Sequence, residues 1–297
     1  THAVQTGTAM MKLEELFDAE RPDAVMVVGD VNSTLAGALA AVKIGVPVVH
    51  LEAGLRSRDM SMPEEVNRLV TDQLSSMLLT PVAEAGENLE SEGVDPAHIH
   101  FVGNIMAESV LRNVPRIEGR EVAARGSLPD RGYILATIHR PENTDHPEKL
   151  AAIASALSSA PLPVLFPVHP RTRPLLAAAG LGEGGSNVRL VDPVGYLDML
   201  ALQRSAAAIA TDSGGVQEEA CMLGTPCVTV RRNTEREITC HVGANRLASA
   251  DAASIAGALD EALASDRGWT VPERWDLEVA SRVVGALESG IVPLKGC

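Results

Sequence analysis

The stretch Ala207–Met222, AAIATDSGGVQEEACM, joins an apolar run to a helix-period segment through an Asp-Ser-Gly-Gly turn. Strand, glycine-rich turn and helix in that order aim free backbone N–H groups and the positive end of a helix dipole at one spot, the arrangement with which proteins hold phosphate. A phosphate ester is the expected ligand. Ser213 can cap the helix and also donate its hydroxyl, while Gly214 and Gly215 let an anion approach the backbone. Glu218 and Glu219 lie one turn further in, where a carboxylate repels phosphate but suits a ribose diol. Taken alone, the turn also reads as an ordinary αβ connection with a serine N-cap; the rest of the chain favours the ligand.

Other groups able to move protons fall at the ends of apolar runs. Asp30 ends AVMVVGD and Glu52 ends VVHLE, so both carboxylates are expected at strand C-termini, on the ligand side of an open α/β sheet. Glu64 follows Pro63 at a helix start in SMPEEVNR, and ATIHRPEN carries His139, Arg140 and Glu142 past another strand end. Each has a plain alternative: Asp30 can cap the helix starting at Asn32 or Ser33, and Glu64 can simply favour a helix dipole. Together they describe a polar, enzyme-like site.

The elements that must position these residues alternate along the chain. Apolar runs at 24–28, 47–51, 78–81 and 99–102 are interleaved with helical patterns at 33–43, 64–77, 84–92 and 106–113. Repeated strand–helix units of this length imply a parallel sheet with right-handed crossovers. A polar stretch, 115–131, interrupts the pattern. It resumes with strands at 133–137, 164–168, 188–191, 207–210 and 227–230 and helices at 147–158, 173–179, 196–204 and 216–223. The expectation is α/β, with two Rossmann-like domains facing a central cleft at 1–103 and 104–271. A last amphipathic segment, 278–288 within 272–297, is expected to cross back to the first domain. Gly180, Gly182 and Gly185 satisfy a dinucleotide-binding spacing, but they follow a helix and precede a strand, the reverse of the required order, so no NAD is inferred. No Walker A sequence and no metal-ligand spacing occurs; neither cofactor nor metal is expected.

Composition narrows the partners. The 297 residues are 45% hydrophobic but only 2% aromatic, so the core must be built from Ala, Val, Leu and Ile, which suits strands covered by helices. A net charge of −14 repels nucleic acid and anionic membranes, and no apolar run approaches a membrane span. An anionic ligand therefore needs a local basic site, for which Arg140, Arg171, Arg173, Arg231, Arg232 and Arg236 are candidates, most of them expected to be solvated. Cys221, Cys227, Cys240 and Cys297 lack disulfide or CxxC spacing and read as reduced thiols in a cytoplasmic protein.

The motifs GDVNSTLAGALAA, VVHLEAGLRSRDMSMPEEVNR, FVGN, TIHRPEN, PVHPRT and TDSGGVQEEACMLGTPCVTVRRNTER run in order from about Asp23 to Arg236. In that order they resemble the non-hydrolysing UDP-N-acetylglucosamine 2-epimerases. The resemblance implies a GT-B-like two-domain fold and interconversion of UDP-GlcNAc and UDP-ManNAc. It matches Asp30, Glu52 and Glu64 to catalytic carboxylates and His139 to the active-site histidine. Ser213, Gly214 and Gly215 match the diphosphate turn, Glu219 the ribose contact and Arg236 a ligand-binding arginine, with Arg140 and His169 as additional contacts. A homodimer acting on a UDP-sugar is expected.

The implied chemistry explains the need for several carboxylates. The C2 proton of an acetamido sugar is weakly acidic, so breaking the C1–O bond as that proton leaves is the better route. UDP departs, a 2-acetamidoglucal forms, and protonation on the other face followed by return of UDP inverts C2. Arg, His and helix N–H groups stabilise the leaving diphosphate, while carboxylates offset positive charge in the ring. The sequence does not say which of Asp30, Glu52 and Glu64 serves which face. A hydrolysing 2-epimerase, or an epimerase of a modified UDP-sugar, are the neighbouring enzyme readings. A glycosyltransferase would leave EAGLRS and MPEEVNR without a role. The non-enzyme reading is a nucleotide-sugar-binding remnant. It draws on the front of the chain, where the family's Gly-Thr-Arg-Pro-Glu and Gln-His motifs do not occur. A start at Thr1, almost at once in a helical pattern, leads to the expectation that the first domain is N-terminally incomplete.

Overall fold

Runs of four apolar or nearly apolar residues recur between amphipathic helices, and in the computed structural model of the protein nearly every such run is a strand. The structure describes residues 1–122, 125–169, 172–181 and 187–291. Arg171, Gly182, Gly185 and Cys297 lie outside the described residues. The elements of the first half are α1 (His2–Glu20), β1 (Val25–Val28), α2 (Asn32–Lys43), β2 (Val48–Leu51), α3 (Pro63–Leu74), β3 (Met77–Thr80), α4 (Ala83–Ser91), a 3₁₀ turn (Pro96–His98), β4 (Ile99–Phe101) and α5 (Ile105–Ile117). Then follow β5 (Ile134–Thr137), α6 (Pro141–Thr144), α7 (Pro147–Ser158), β6 (Val164–Pro167), α8 (Arg173–Ala178), β7 (Val188–Val191), α9 (Tyr196–Ser205) and β8 (Ala208–Thr211). The chain continues through α10 (Gly214–Leu223), β9 (Cys227–Val230), α11 (Glu237–His241), β10 (Asn245–Ala248), α12 (Ala252–Leu263) and α13 (Val279–Glu288).

The chain divides into two compact units, Thr1–Glu108 with Glu273–Cys297, and Ser109–Pro272. The first contains a four-stranded parallel sheet in the order β1-β2-β3-β4. Strands buried on both faces read as nearly continuous apolar runs, and all four residues of β2 and of β3 are buried, His50 and Thr80 being the polar members. Val25, Val27 and Val48 pack with Ala38 and Ala41 of α2, whereas Val49, Leu51, Met77 and Leu79 pack with Val279 and Val283 of α13. At the edge, β1 alternates instead, with Met26 40% and Val28 48% exposed. The last segment is tied to this unit: Trp275 Nε1 donates to the Pro81 carbonyl at 3.2 Å, and the Arg274 guanidinium stacks over Phe101 at 4.5 Å. Gly103, at φ +92°, must be glycine, because a Cβ there would sit 2.0 Å from the Arg274 carbonyl oxygen.

The second unit holds a six-stranded parallel sheet in the order β10-β9-β8-β5-β6-β7. Numbered within the unit this is the doubly wound order, and its switch point lies between β5 and β8. Ile134 and Ala136 face one core with Phe166, Ile153 and Leu259; Leu135 and Tyr133 face the other with Leu165, Leu200 and Ile209.

Several boundaries differ from the sequence reading. The helix expected at 64–77 ends at Leu74, because Ser75 Oγ bonds back to the Thr71 carbonyl at 2.7 Å and Ser76 N–H joins Val48 O at 2.8 Å, turning the chain into β3. The helix expected at 106–113 runs on through Pro115 to Ile117, since Val110 and Ile117, two turns apart, bury on one face. Strand β10 escaped detection because its sequence, NRLA, opens with a buried asparagine and an arginine. Helix α12 escaped because its alanine-rich sequence shows little contrast, although Asp251 caps it by accepting from Ser254 N–H at 2.8 Å. The short helices α6 and α11 were also not anticipated. Among the described residues no helix is long and apolar enough to cross a membrane, and no group of three or more His, Cys, Asp or Glu is placed to hold a metal.

Candidate active site

In the first unit the turns after β1 and β2 carry two of the expected carboxylates. Val31, not Asp30, occupies the N-cap position of α2, and no side chain caps that helix. The Asp30 carboxylate turns to α3 instead, where Arg68 meets it with Nη2 at 2.7 Å and Nε at 3.1 Å, while Asn67 Nδ2 holds the Asp30 carbonyl at 2.8 Å. Glu52 adopts φ +70°, a left-handed conformation rare for a long side chain and costing on the order of 1–3 kcal/mol unless its surroundings impose it. Its carboxylate lies over Gly29, whose added Cβ would be 3.7 Å from Glu52 Oε2.

A buried polar network imposes that geometry. Asp72 of α3, with no exposed side-chain surface, accepts from Gly54 N–H at 3.2 Å, from Arg56 Nη1 at 2.7 Å and from His50 Nδ1 at 2.6 Å. The other ring nitrogen of His50 lies 2.8 Å from the Gly29 carbonyl, so one imidazole spans the two carboxylate-bearing turns. None of Arg68, His50 or Asp72 was singled out from sequence; the signal for Arg68 was its position one turn after the Glu64–Glu65 pair.

The two adjacent glutamates of α3 separate in environment. Glu65, 2% exposed, accepts from Ser57 N–H at 2.9 Å, Ser57 Oγ at 2.8 Å and Arg58 N–H at 2.9 Å, and pairs with Arg68. It is a structural carboxylate. Glu64, half-buried, lines an open groove of about 750 Å³ at the first turns of α1, α2 and α3, with His2, Gln5, Asn32 and Asn67.

In the second unit the candidate residues gather where β5 and β8 end. Thr137 and Thr211 are register partners and their hydroxyls bond at 2.6 Å. Just beyond them Asp212, fully buried, accepts from His139 N–H at 3.1 Å, Arg140 N–H at 2.9 Å and Asn143 Nδ2 at 3.0 Å, with His139 Nδ1 3.2 Å away. The His139 side chain is 56% exposed. From sequence Asp212 and Asn143 stand only within the motifs TDSGG and TIHRPEN, with nothing local that marks either for a role.

Ser213 stands at the N-cap of α10, but its side chain makes no cap hydrogen bond, so the capping reading does not hold. Its N–H is taken by Thr211 Oγ1 at 3.0 Å. Gly215 opens to free space, whereas a Cβ at Gly214 would lie 2.8 Å from Glu235 Oε1, so a carboxylate borders that side of the turn. Glu235 itself pairs with Arg231 at 2.8 Å. Glu218 and Glu219 also separate: Glu218 pairs with buried Arg236 at 2.9 Å, and Glu219 Oε2 accepts from Gln203 Nε2 at 2.5 Å. Burial pushes the Glu219 carboxyl above the usual range, partly offset by the Gln203 hydrogen bond. Arg140 is half-buried at the start of α6, and His169 is exposed just after β6. Arg173 is partly exposed and pairs with exposed Asp192 at 2.9 Å, away from this cluster in its hydrogen bonding. Thus Asp30 and Glu52 are neighbours in the first unit, and His139 adjoins the turn 213–215 in the second through Asp212.

Known proteins resemble this chain over most of its length. A UDP-N-acetylglucosamine 2-epimerase from Methanococcus maripaludis is 41% identical over 282 residues, covering 92% of this chain and 77% of that protein. A UDP-2,3-diacetamido-2,3-dideoxy-D-glucuronate 2-epimerase from Pseudomonas aeruginosa is 46% identical over 257 residues, covering 84% of this chain and 70% of that one. The crystal structure of the Methanocaldococcus jannaschii UDP-GlcNAc 2-epimerase in complex with UDP-GlcNAc and UDP superposes with a TM-score of 0.88 at 39% identity, over 98% of this chain and 82% of that one. The fold is accordingly the GT-B-like, two-domain α/β type. The family model described as UDP-N-acetylglucosamine 2-epimerase matches residues 1–288, and the chain belongs to that family of enzymes.

Proposed function

We propose that the protein inverts C2 of a UDP-N-acetylhexosamine, interconverting UDP-GlcNAc and UDP-ManNAc by elimination of UDP and its re-addition to a 2-acetamidoglucal. The observation that carries this reading is the turn 213–215, with His139 beside it, at the switch point of the six-stranded sheet, where doubly wound sheets bind ligands. The diphosphate is held at the turn 213–215 by the N–H groups of Gly214 and Gly215 and the Ser213 hydroxyl, and the ribose by Glu219, with Arg236, Arg140 and His169 as further contacts. His139 and the helix N-terminus stabilise the leaving diphosphate. Asp30, Glu52 and Glu64 are the carboxylates that remove and return the C2 proton and offset charge in the ring. We further propose a homodimer, to be tested by light scattering, and a cytoplasmic location, which the reduced thiols Cys221, Cys227 and Cys240 favour.

The test is incubation with UDP-GlcNAc in heavy water, resolving UDP-ManNAc, free ManNAc and UDP. The expected product is UDP-ManNAc with deuterium at C2; free ManNAc would establish a hydrolysing enzyme, and absence of deuterium would overturn the proton-exchange route. Asp30→Asn, Glu52→Gln and Glu64→Gln should each lose about 10²- to 10⁴-fold in turnover with UDP binding retained. Near-normal rates in all three would sink the assigned roles. A second reading, a UDP-sugar with a further acetamido group or a carboxylate, is favoured by the 46% identity to the Pseudomonas aeruginosa protein. Turnover of a UDP-diacetamidoglucuronate in preference to UDP-GlcNAc would select it.

A further inference from the structure

Asp212 is an unusual carboxylate for its place. It has no exposed surface, yet among the described residues its hydrogen-bond donors are two backbone N–H groups and the Asn143 amide, with the His139 ring nitrogen facing it at 3.2 Å and no arginine or lysine among these partners. A buried carboxylate held only by neutral donors is costly, and among its described partners the imidazole is the one able to carry a compensating charge. The donors also fix its orientation. Oδ2 takes Arg140 N–H at 2.9 Å and Asn143 Nδ2 at 3.0 Å, and Asn143 is itself anchored to the Val230 carbonyl at 3.1 Å. Oδ1 is thereby presented to His139 Nδ1 at 3.2 Å. The ends of β5, β8 and β9 all contribute to this arrangement, which places it in the frame of the sheet rather than in a movable loop.

We propose that Asp212 is a positioning residue for His139: it holds the imidazole with a proton on Nδ1 and keeps Nε2 as the nitrogen that meets the substrate. A carboxylate accepts only, so the ring nitrogen it faces must carry hydrogen, and the tautomer follows. When the ring is protonated, the same carboxylate balances the imidazolium. This rests on the reading of His139 as a group that meets the departing diphosphate or the reacting sugar. Replacing Asp212 by asparagine should reverse the ring. Its amide oxygen stays with the backbone N–H groups and Asn143, its NH₂ turns to Nδ1, and the ring proton moves to Nε2.

The direct measurement is ¹⁵N NMR of histidine-labelled protein, with His139 assigned by its loss in His139→Gln. The unaltered protein should show the Nδ1–H tautomer once the ring is neutral; an Nε2–H tautomer overturns the inference, whatever the fate of any variant. Asp212→Asn should invert the tautomer and lower kcat by about 10²- to 10⁴-fold, as expected for a misplaced proton-transfer group, while UDP affinity stays within about threefold. UDP affinity falling in parallel with kcat would show Asp212 to be scaffolding for the phosphate turn instead. Normal turnover in Asp212→Asn with the tautomer inverted, and in His139→Gln, would leave the tautomer assignment standing and refute the role given to His139.

Discussion

Glu219 offers the sharpest test of the proposed nucleotide site, because the structure says which of its oxygens is engaged. Oε2 is engaged by Gln203 Nε2 at 2.5 Å, so Oε1 is the oxygen left to accept from the ribose. A hydrogen bond to a charged group contributes about 1.5–3 kcal/mol, and its loss in Glu219→Ala should raise the Kd for UDP by about 10- to 150-fold. The alanine variant also strips the buried Gln203 amide of its acceptor, which costs about 1–3 kcal/mol of stability. Binding must therefore be separated from folding. Calorimetry with UDP and with 2′,3′-dideoxy-UDP does so: the unaltered protein should discriminate by the same factor, and Glu219→Ala should bind the two alike. Glu219→Gln, which can still accept from Gln203 and offer its NH₂ to the ribose, should fall between. Unchanged UDP affinity in Glu219→Ala with an intact circular dichroism spectrum, or equal affinity of the unaltered protein for the two nucleotides, would refute the assignment.

Asp72→Asn leaves His50 and Arg56 buried without their shared carboxylate, and should destabilise the first unit by about 3–5 kcal/mol. Asp18→Asn, which breaks the exposed pair with Arg21, should cost under about 1 kcal/mol; urea melts that fail to separate the two variants would contradict the role given to the network. Glu219 also sets a pH dependence. Its folded pKa is raised above the ordinary value of 4.5, so its contribution to stability is complete below that value and is lost as pH rises through the folded one. The melting-temperature difference between the unaltered protein and Glu219→Gln should therefore shift against the unaltered protein as pH rises, and a pH-independent difference would disprove the shift.

What the sequence by itself determined was local in origin. Strand positions, the Pro63 start of α3 and the glycine-rich turn before α10 follow from apolar runs, fixed φ angles and N–H groups that need no distant partner. The strand-end positions of Asp30, Glu52 and His139 followed as well, because a residue just past an apolar run lies at the sheet's carboxyl edge whatever the sheet's order. Only the tertiary structure decided what those residues bond to. Glu64 and Glu65, and again Glu218 and Glu219, are chemically identical neighbours, and about 100° of helix rotation sends them to different faces. One of each pair is taken by an arginine, Arg68 or Arg236, whereas Glu64 lines the open groove and Glu219 bonds Gln203. No local pattern shows which face an arginine will approach. The same holds for Asp212 and His139, which are 73 residues apart in sequence and meet because β5 and β8 are register neighbours at the switch point. Pairing of non-consecutive strands is a property of the whole sheet, so the residue that orients the histidine became visible only once the sheet was assembled.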